Sequence, residues 1–115
     1  MSVSNPPDAS ADLLPVEPLG VPLHATVRLP GSKSITNRAL VCAALADGPS
    51  MLTGFLDSDD TQAMVGALRS LGIEIVVDGD RDEVWGCRGH LPVREATLDV
   101  RMSGTSSRFL LPLAA

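Results

Sequence analysis

A chain of 115 residues carries one domain at most. Hydrophobic residues make up 44% of it but aromatics only 3%, so any core must be assembled from Leu, Val, Ala and Met. A net charge of −5 argues against general binding to nucleic acid or to an anionic membrane surface, yet admits an anionic substrate wherever cations are concentrated.

Residues 1–20 hold Asn5-Pro6-Pro7, Asp8, Pro15 and Pro18 without periodicity and are expected to be a flexible leader. They lack the basic-then-apolar order of a signal peptide, and no apolar run in the chain approaches the length of a membrane span. Residues 21–29 alternate enough to predict a strand, with Ala25, Val27 and Leu29 on one face. His24, with no second His near it, reads as a surface strand-end residue rather than a ligand. Pro30 stops the strand, Gly31 supplies a turn, and Ser32 or Ser34 caps a first helix over about 32–46. Ala39 to Ala46 is apolar all round, which predicts burial on every side, and Asp47-Gly48-Pro49 ends the helix.

Ser50 to Leu56 reads as a short strand. Ser58-Asp59-Asp60 then opens a second helix, with Met64, Ala67, Leu68 and Leu71 at helical spacing and Gly72 at C′. The run Asp57 to Asp60 reads as helix capping rather than a metal site, since these residue types are what a helix start selects. Ile73 to Val77 alternates as a strand, Asp78-Gly79-Asp80 is a hairpin turn, and Glu83 to Gly89 is the partner strand, with Trp85 expected to pack. Cys42 in the first helix and Cys87 in this strand show no metal spacing, so both are expected to be reduced packing residues of a cytoplasmic protein. A strand over Ala96 to Val100, a turn over Ser103 to Arg108 and a helix over Phe109 to Ala115 begin a second round. That last helix has no cap, Gly or polar ending, so the sequence is expected to be a piece of a longer one.

The chemistry concentrates at Leu29-Pro30-Gly31-Ser32-Lys33-Ser34-Ile35-Thr36-Asn37-Arg38-Ala39-Leu40. Unpaired N–H groups at a helix start attract an anion, helped by a dipole equivalent to roughly half a positive charge. Ser34 and Arg38 share a helix face, as do Lys33 and Asn37, and a hydroxyl, an amide and two cations suit a phosphate or carboxylate. Taken alone, the stretch fits a solvated first turn equally well. It is not a P-loop: Ser32 precedes Lys33 where that motif needs Gly, and neither Ala25 nor Thr26 is Gly. The turn Ser103-Gly104-Thr105-Ser106-Ser107-Arg108 repeats the physics: Gly104 lets backbone approach a ligand, hydroxyls and N–H groups point at an anion, and Arg108 sits a turn inside.

Leu29 to Leu40, then Leu56-Asp57-Ser58-Asp59-Asp60-Thr61, then Ser103-Gly104-Thr105 with Arg108 together resemble the N-terminal part of the 5-enolpyruvylshikimate-3-phosphate synthase (3-phosphoshikimate 1-carboxyvinyltransferase) family. The match runs from about residue 22 to the end, and three motifs in order make it specific. The resemblance implies an α/β fold, the inside-out barrel of βαβαββ units of enolpyruvyl transferases, with one full unit and the start of a second. Residues 21–115 are then a partial N-terminal domain whose first strand and leader contact the remainder.

The resemblance further implies transfer of the enolpyruvyl group from phosphoenolpyruvate to the 5-hydroxyl of shikimate 3-phosphate, releasing phosphate, in the shikimate and chorismate route to aromatic amino acids. Neither cofactor nor metal is implied. By motif position Lys33, Ser34 and Arg38 are expected shikimate 3-phosphate contacts, with Lys33 also near phosphoenolpyruvate. Gly104 and Thr105 are expected in the phosphoenolpyruvate loop, with the inhibitor glyphosate against Gly104, and Arg108 braces the loop or adds to the field. Met102 stands where the family loop usually has Asn and cannot supply that amide hydrogen bond. The family's acid/base carboxylates, a further Arg and a catalytic Lys are implied beyond residue 115, so no catalytic residue is assigned within the chain. The alternatives are one half of a split enzyme with a complementary C-terminal fragment as partner, a non-catalytic remnant, and the UDP-N-acetylglucosamine enolpyruvyl transferase, which Ser34 and Arg38 disfavour.

Overall fold

The computed structural model describes residues 13–115, so most of the expected leader, residues 1–12, lies outside the described residues. The described part contains α1 (Lys33–Leu45), β1 (Asp47–Thr53), α2 (Asp59–Ser70), β2 (Glu74–Asp78), β3 (Arg81–Cys87) and α3 (Gly104–Ala114). No described helix is long and apolar enough to cross a membrane.

The helix starts follow from local side chains. Ser32 caps α1 by accepting from Ile35 N, which decides between Ser32 and Ser34. Ser58 caps α2 in a capping box with Thr61, and Asp59 and Asp60 in its first turn suit the dipole. Ser103 caps α3 by accepting from Ser106 N at 3.1 Å, so that helix begins at Gly104, earlier than the apolar run suggested. Gly72 closes α2 at φ 90°, and Gly79 turns the β2–β3 hairpin at φ 62°.

The sheet has the order β1-β3-β2 with both pairings antiparallel. β1 and β2 are therefore parallel to one another, joined through α2, with β3 inserted between them. Pro49 sits opposite Trp85 on the edge strand β1, where a missing N–H costs no ladder bond. Leu40, Ala44, Met64, Leu68, Ile75, Val84 and Leu110 form the core between the helices and the sheet. Gly86 lets the end of α1 lie on β3: a Cβ there would stand 2.6 Å from the Ala46 carbonyl carbon.

Several expectations change. Residues 21–29 form no strand; they run irregularly and Val27 and Leu29 stay exposed, because no neighbouring strand supplies a ladder. His24 is accordingly an exposed residue of an irregular segment. Residues 96–100 also form no strand, although Leu98 and Val100 pack partly against the core. β1 begins at Asp47, so Asp47-Gly48-Pro49 starts a strand as well as ending the helix. α1 is not buried on every side: Cys42 is exposed and Leu45 is 39% exposed, since only one face meets α2, α3 and β3. Cys87 is half-buried against the core as expected, whereas Trp85 is 45% exposed on the outer face of β3.

Candidate anion-binding site

The N-termini of all three helices meet. Lys33, the first residue of α1, places Nζ 2.7 Å from Oδ2 of Asp60 in the first turn of α2. The main-chain oxygen of Asp60 accepts from Ser106 Oγ of α3 at 3.4 Å, and Ser106 Oγ in turn accepts from Ser103 Oγ at 2.7 Å. Ser103 and Ser106 are buried, so this relay is sheltered. It joins the turn before α1 to the turn before α3 through the first turn of α2. Three helix starts in one place sum their positive dipole ends.

Two further groups fasten the arrangement. The Leu56 peptide is held between α1 and α2: its N–H donates to Thr36 Oγ1 at 3.0 Å and its carbonyl accepts from Thr61 Oγ1 at 2.8 Å. Gly31 is needed for a close approach, not for a left-handed turn: a Cβ there would stand 2.7 Å from Leu56 N and collide with Gly54 O. Arg101, just before α3, adopts φ 48°, a conformation that non-glycine residues rarely take. Its N–H donates to Asp99 Oδ1 at 2.9 Å and its guanidinium reaches Asp59 at 3.0 Å.

Of the six residues singled out from the sequence, Lys33 and Arg38 project from α1 and Gly104, Thr105 and Arg108 lie on α3, next to one another through these contacts. Arg38 Nη1 donates to Ser34 O at 3.1 Å, and its guanidinium carbon lies 5.6 Å from the Phe109 ring centroid, a cation–π distance that links α1 to α3. Ser34 is exposed in the first turn. Gly104 differs from Gly31: a Cβ built on it meets nothing within 4 Å, so the space beside it is open. Among the described residues the ion pairs absorb Lys33 and Arg101, while Arg38 and Arg108 have no carboxylate within 4 Å. An otherwise acidic chain thus keeps two unmatched cations beside converging helix starts.

Asn37 departs from its expected place. It is fully buried, and neither polar atom of its side chain has a hydrogen-bond partner among the described residues, so it does not face an anion in solvent. Met102 is 98% exposed, with its thioether away from the relay. Sequence reasoning missed Thr36, Thr61, Asp60 and Arg101 as the framework of the site. The Ser58–Thr61 spacing was a usable signal for Thr61; the others depend on partners 20 to 46 residues away in sequence.

A pocket of about 400 Å³ lies elsewhere, between α1, α2 and the β2–β3 hairpin, and none of the six lines it. Asp82 lines that pocket, and burial pushes its carboxyl above the usual carboxylate range against the opposing pull of Arg69.

The α/β framework with its three converging helix starts is that of an enolpyruvyl transferase fragment, as its likeness to known proteins shows. The chain belongs to the EPSP synthase (3-phosphoshikimate 1-carboxyvinyltransferase) family, whose model matches residues 19–115. It is 52% identical over 90 residues to the 3-phosphoshikimate 1-carboxyvinyltransferase of Paraburkholderia phymatum, covering 78% of this chain and 20% of that protein. The enzyme of the same name from Opitutus terrae is 46% identical over 110 residues, 90% of this chain and 25% of that protein. The EPSP synthase structure from Acinetobacter baumannii superposes with a TM-score of 0.70 at 31% identity, over 76% of this chain and 20% of that one. The fold is therefore α/β and a part of the enolpyruvyl transferase architecture. The chain spans about a fifth to a quarter of the length of these relatives.

Proposed function

We propose that this chain supplies part of the substrate site for transfer of the enolpyruvyl group from phosphoenolpyruvate to the 5-hydroxyl of shikimate 3-phosphate, with release of phosphate. In this reading Lys33, Ser34 and Arg38 hold shikimate 3-phosphate, and Lys33 also reaches phosphoenolpyruvate. Gly104 and Thr105 form the phosphoenolpyruvate loop, with glyphosate competing against Gly104. Arg108 adds positive field beside that loop. The protein works in the cytoplasm, and residues 21–115 act as the opening of an N-terminal domain completed by further polypeptide.

The observation that carries the reading is the relay from Lys33 through Asp60 to Ser106 and Ser103, which keeps the two turns side by side. Both substrates bear phosphate and carboxylate, so each needs donors and cations, and the unmatched Arg38 and Arg108 fit that need. The open space beside Gly104 suits a ligand pressed against backbone. The acid/base groups belong to sequence that this chain does not carry, so the chain binds weakly alone and does not turn over.

Calorimetric titration with shikimate 3-phosphate, with and without a complementary C-terminal fragment, tests this. Binding that appears or strengthens with the fragment supports the reading; no binding in either condition refutes it. In the reassembled protein Lys33→Ala removes a charge-assisted contact worth about 1.5–3 kcal/mol, a loss of roughly tenfold to more than a hundredfold in affinity. Unchanged affinity would take Lys33 out of the site.

A further inference from the structure

The pocket between α1, α2 and the β2–β3 hairpin has no part in the function proposed above. Its volume of about 400 Å³ is that of a small-ligand site. Leu40, Phe55, Val65 and Val77 give it apolar walls. Most of its polar groups are already satisfied. Thr36 and Thr61 are engaged with the Leu56 peptide, and Gln62 Nε2 donates to Asp57 Oδ1 at 2.9 Å. Arg69 donates through Nε and Nη2 to Ile75 O at 3.2 and 2.7 Å.

Asp82 is the exception. It is 2% exposed, and its Oδ1 has no hydrogen-bond partner among the described residues. A carboxylate only accepts, so the thing it lacks is a donor, and a buried acceptor left unpaired is costly. The lining favours a cation as that donor: Asp57 and Asp82 face one guanidinium, Arg69, which is already committed to Ile75 O. Apolar walls around one unpaired acceptor suit a charged head on a hydrocarbon stem.

We propose that this pocket binds an alkylammonium or alkylguanidinium group, the chemistry of a Lys or Arg side chain or of a free primary amine, with the charged head on Asp82 and the stem along Leu40, Val65 and Val77. A neutral alcohol of the same length fills the walls but leaves the carboxylate without a cationic partner.

The test is a titration of the ¹⁵N-labelled chain with n-butylammonium, n-butylguanidinium and Nα-acetyl-lysine amide, with n-butanol as the neutral control. Saturable amide shifts at Leu40, Val65 and Val77 are expected for the cations, with affinity about tenfold or more above n-butanol. Asp82→Asn should remove that preference. Response to the free amines alone identifies a small amine as the ligand; response to the lysine amide as well identifies a side chain. Equal affinity for n-butanol and the cations, or no saturable shift with any cation, overturns the proposal. That comparison is made on the parent chain, so it holds even if Asp82→Asn fails to fold.

Discussion

Two glycines at the candidate anion site do different work, and substitution separates them. A Cβ at Gly31 has no room, while a Cβ at Gly104 meets nothing. Gly104→Ala should therefore not lower the melting temperature of the chain, because the added Cβ meets nothing and alanine is favoured over glycine in a helix by up to about 1 kcal/mol. In a reassembled enzyme the same change should weaken glyphosate more than phosphoenolpyruvate; equal loss of both would place the inhibitor away from this loop. Asp82 offers a second residue-scale test. Burial raises its carboxyl pKa, so the native state holds a proton over a pH range where the unfolded chain has lost it. The stability from that proton is complete below the unfolded value of 3.8 and is lost as pH rises through the native value. Asp82→Asn should accordingly melt above the parent at pH 7, with the gap closing on acidification; a gap independent of pH would show that the carboxyl ionises freely. The place of Lys33 and Arg38 in the opening turns of the first helix was legible in the sequence because turn chemistry is local. The burial of Asn37 and Asp82 was not, since it is decided by which elements pack over them.

Elements divide along the same line between local and distant causes. All three helices were legible, and the starts at Ser32 and Ser58 are side-chain caps that a short window contains, whereas Ser103 reads in the sequence as part of a turn, with α3 expected only from Phe109. The β2–β3 hairpin was legible from Asp78-Gly79-Asp80 and the alternation on either side. Residues 21–29 and 96–100 carry strand patterns without forming strands, because alternation states a preference and a ladder requires a neighbour. The register of β1 starts three residues early because pairing with β3 carries through Pro49 at an edge. Capping gives the element-scale prediction. Ser103→Ala should cost about 0.5–2 kcal/mol in denaturant unfolding and loosen amide protection at the start of α3. Gly31→Ala should cost more, because its obstruction is the backbone at Gly54 to Leu56, which cannot swing aside as a side chain would. A milder effect for Gly31 than for Ser103 would mean that the turn and the 54–56 loop separate easily.

For the whole molecule, the telling feature is apolar surface left in water. Leu14, Val16, Leu19, Val21, Leu23, Val27 and Leu29 all lie exposed along the segment before α1. Isolated exposed apolar residues are ordinary, but a run of them at strand spacing has the character of a surface awaiting cover. The chain spans 20% and 25% of the length of two of its relatives, and under the proposed function further polypeptide supplies that cover. A complementary C-terminal fragment should therefore slow amide hydrogen exchange in residues 21–29 on mixing and confer enolpyruvyl transfer, whereas the purified chain alone should show none. Turnover by the chain alone, or unchanged exchange on mixing, would break that picture.

The bridge between Lys33 and Asp60 means that the first turn of the candidate anion site carries its own counter-charge. Under the proposed function, capture at Lys33 would exchange one carboxylate for another ligand, and a monoanion would offer the ammonium no more charge than Asp60 does. A phosphate dianion would offer more, so under that reading the pair would favour newcomers of higher valence. Asp60 also meets the second turn through its main-chain carbonyl, so one residue's two ends touch both turns.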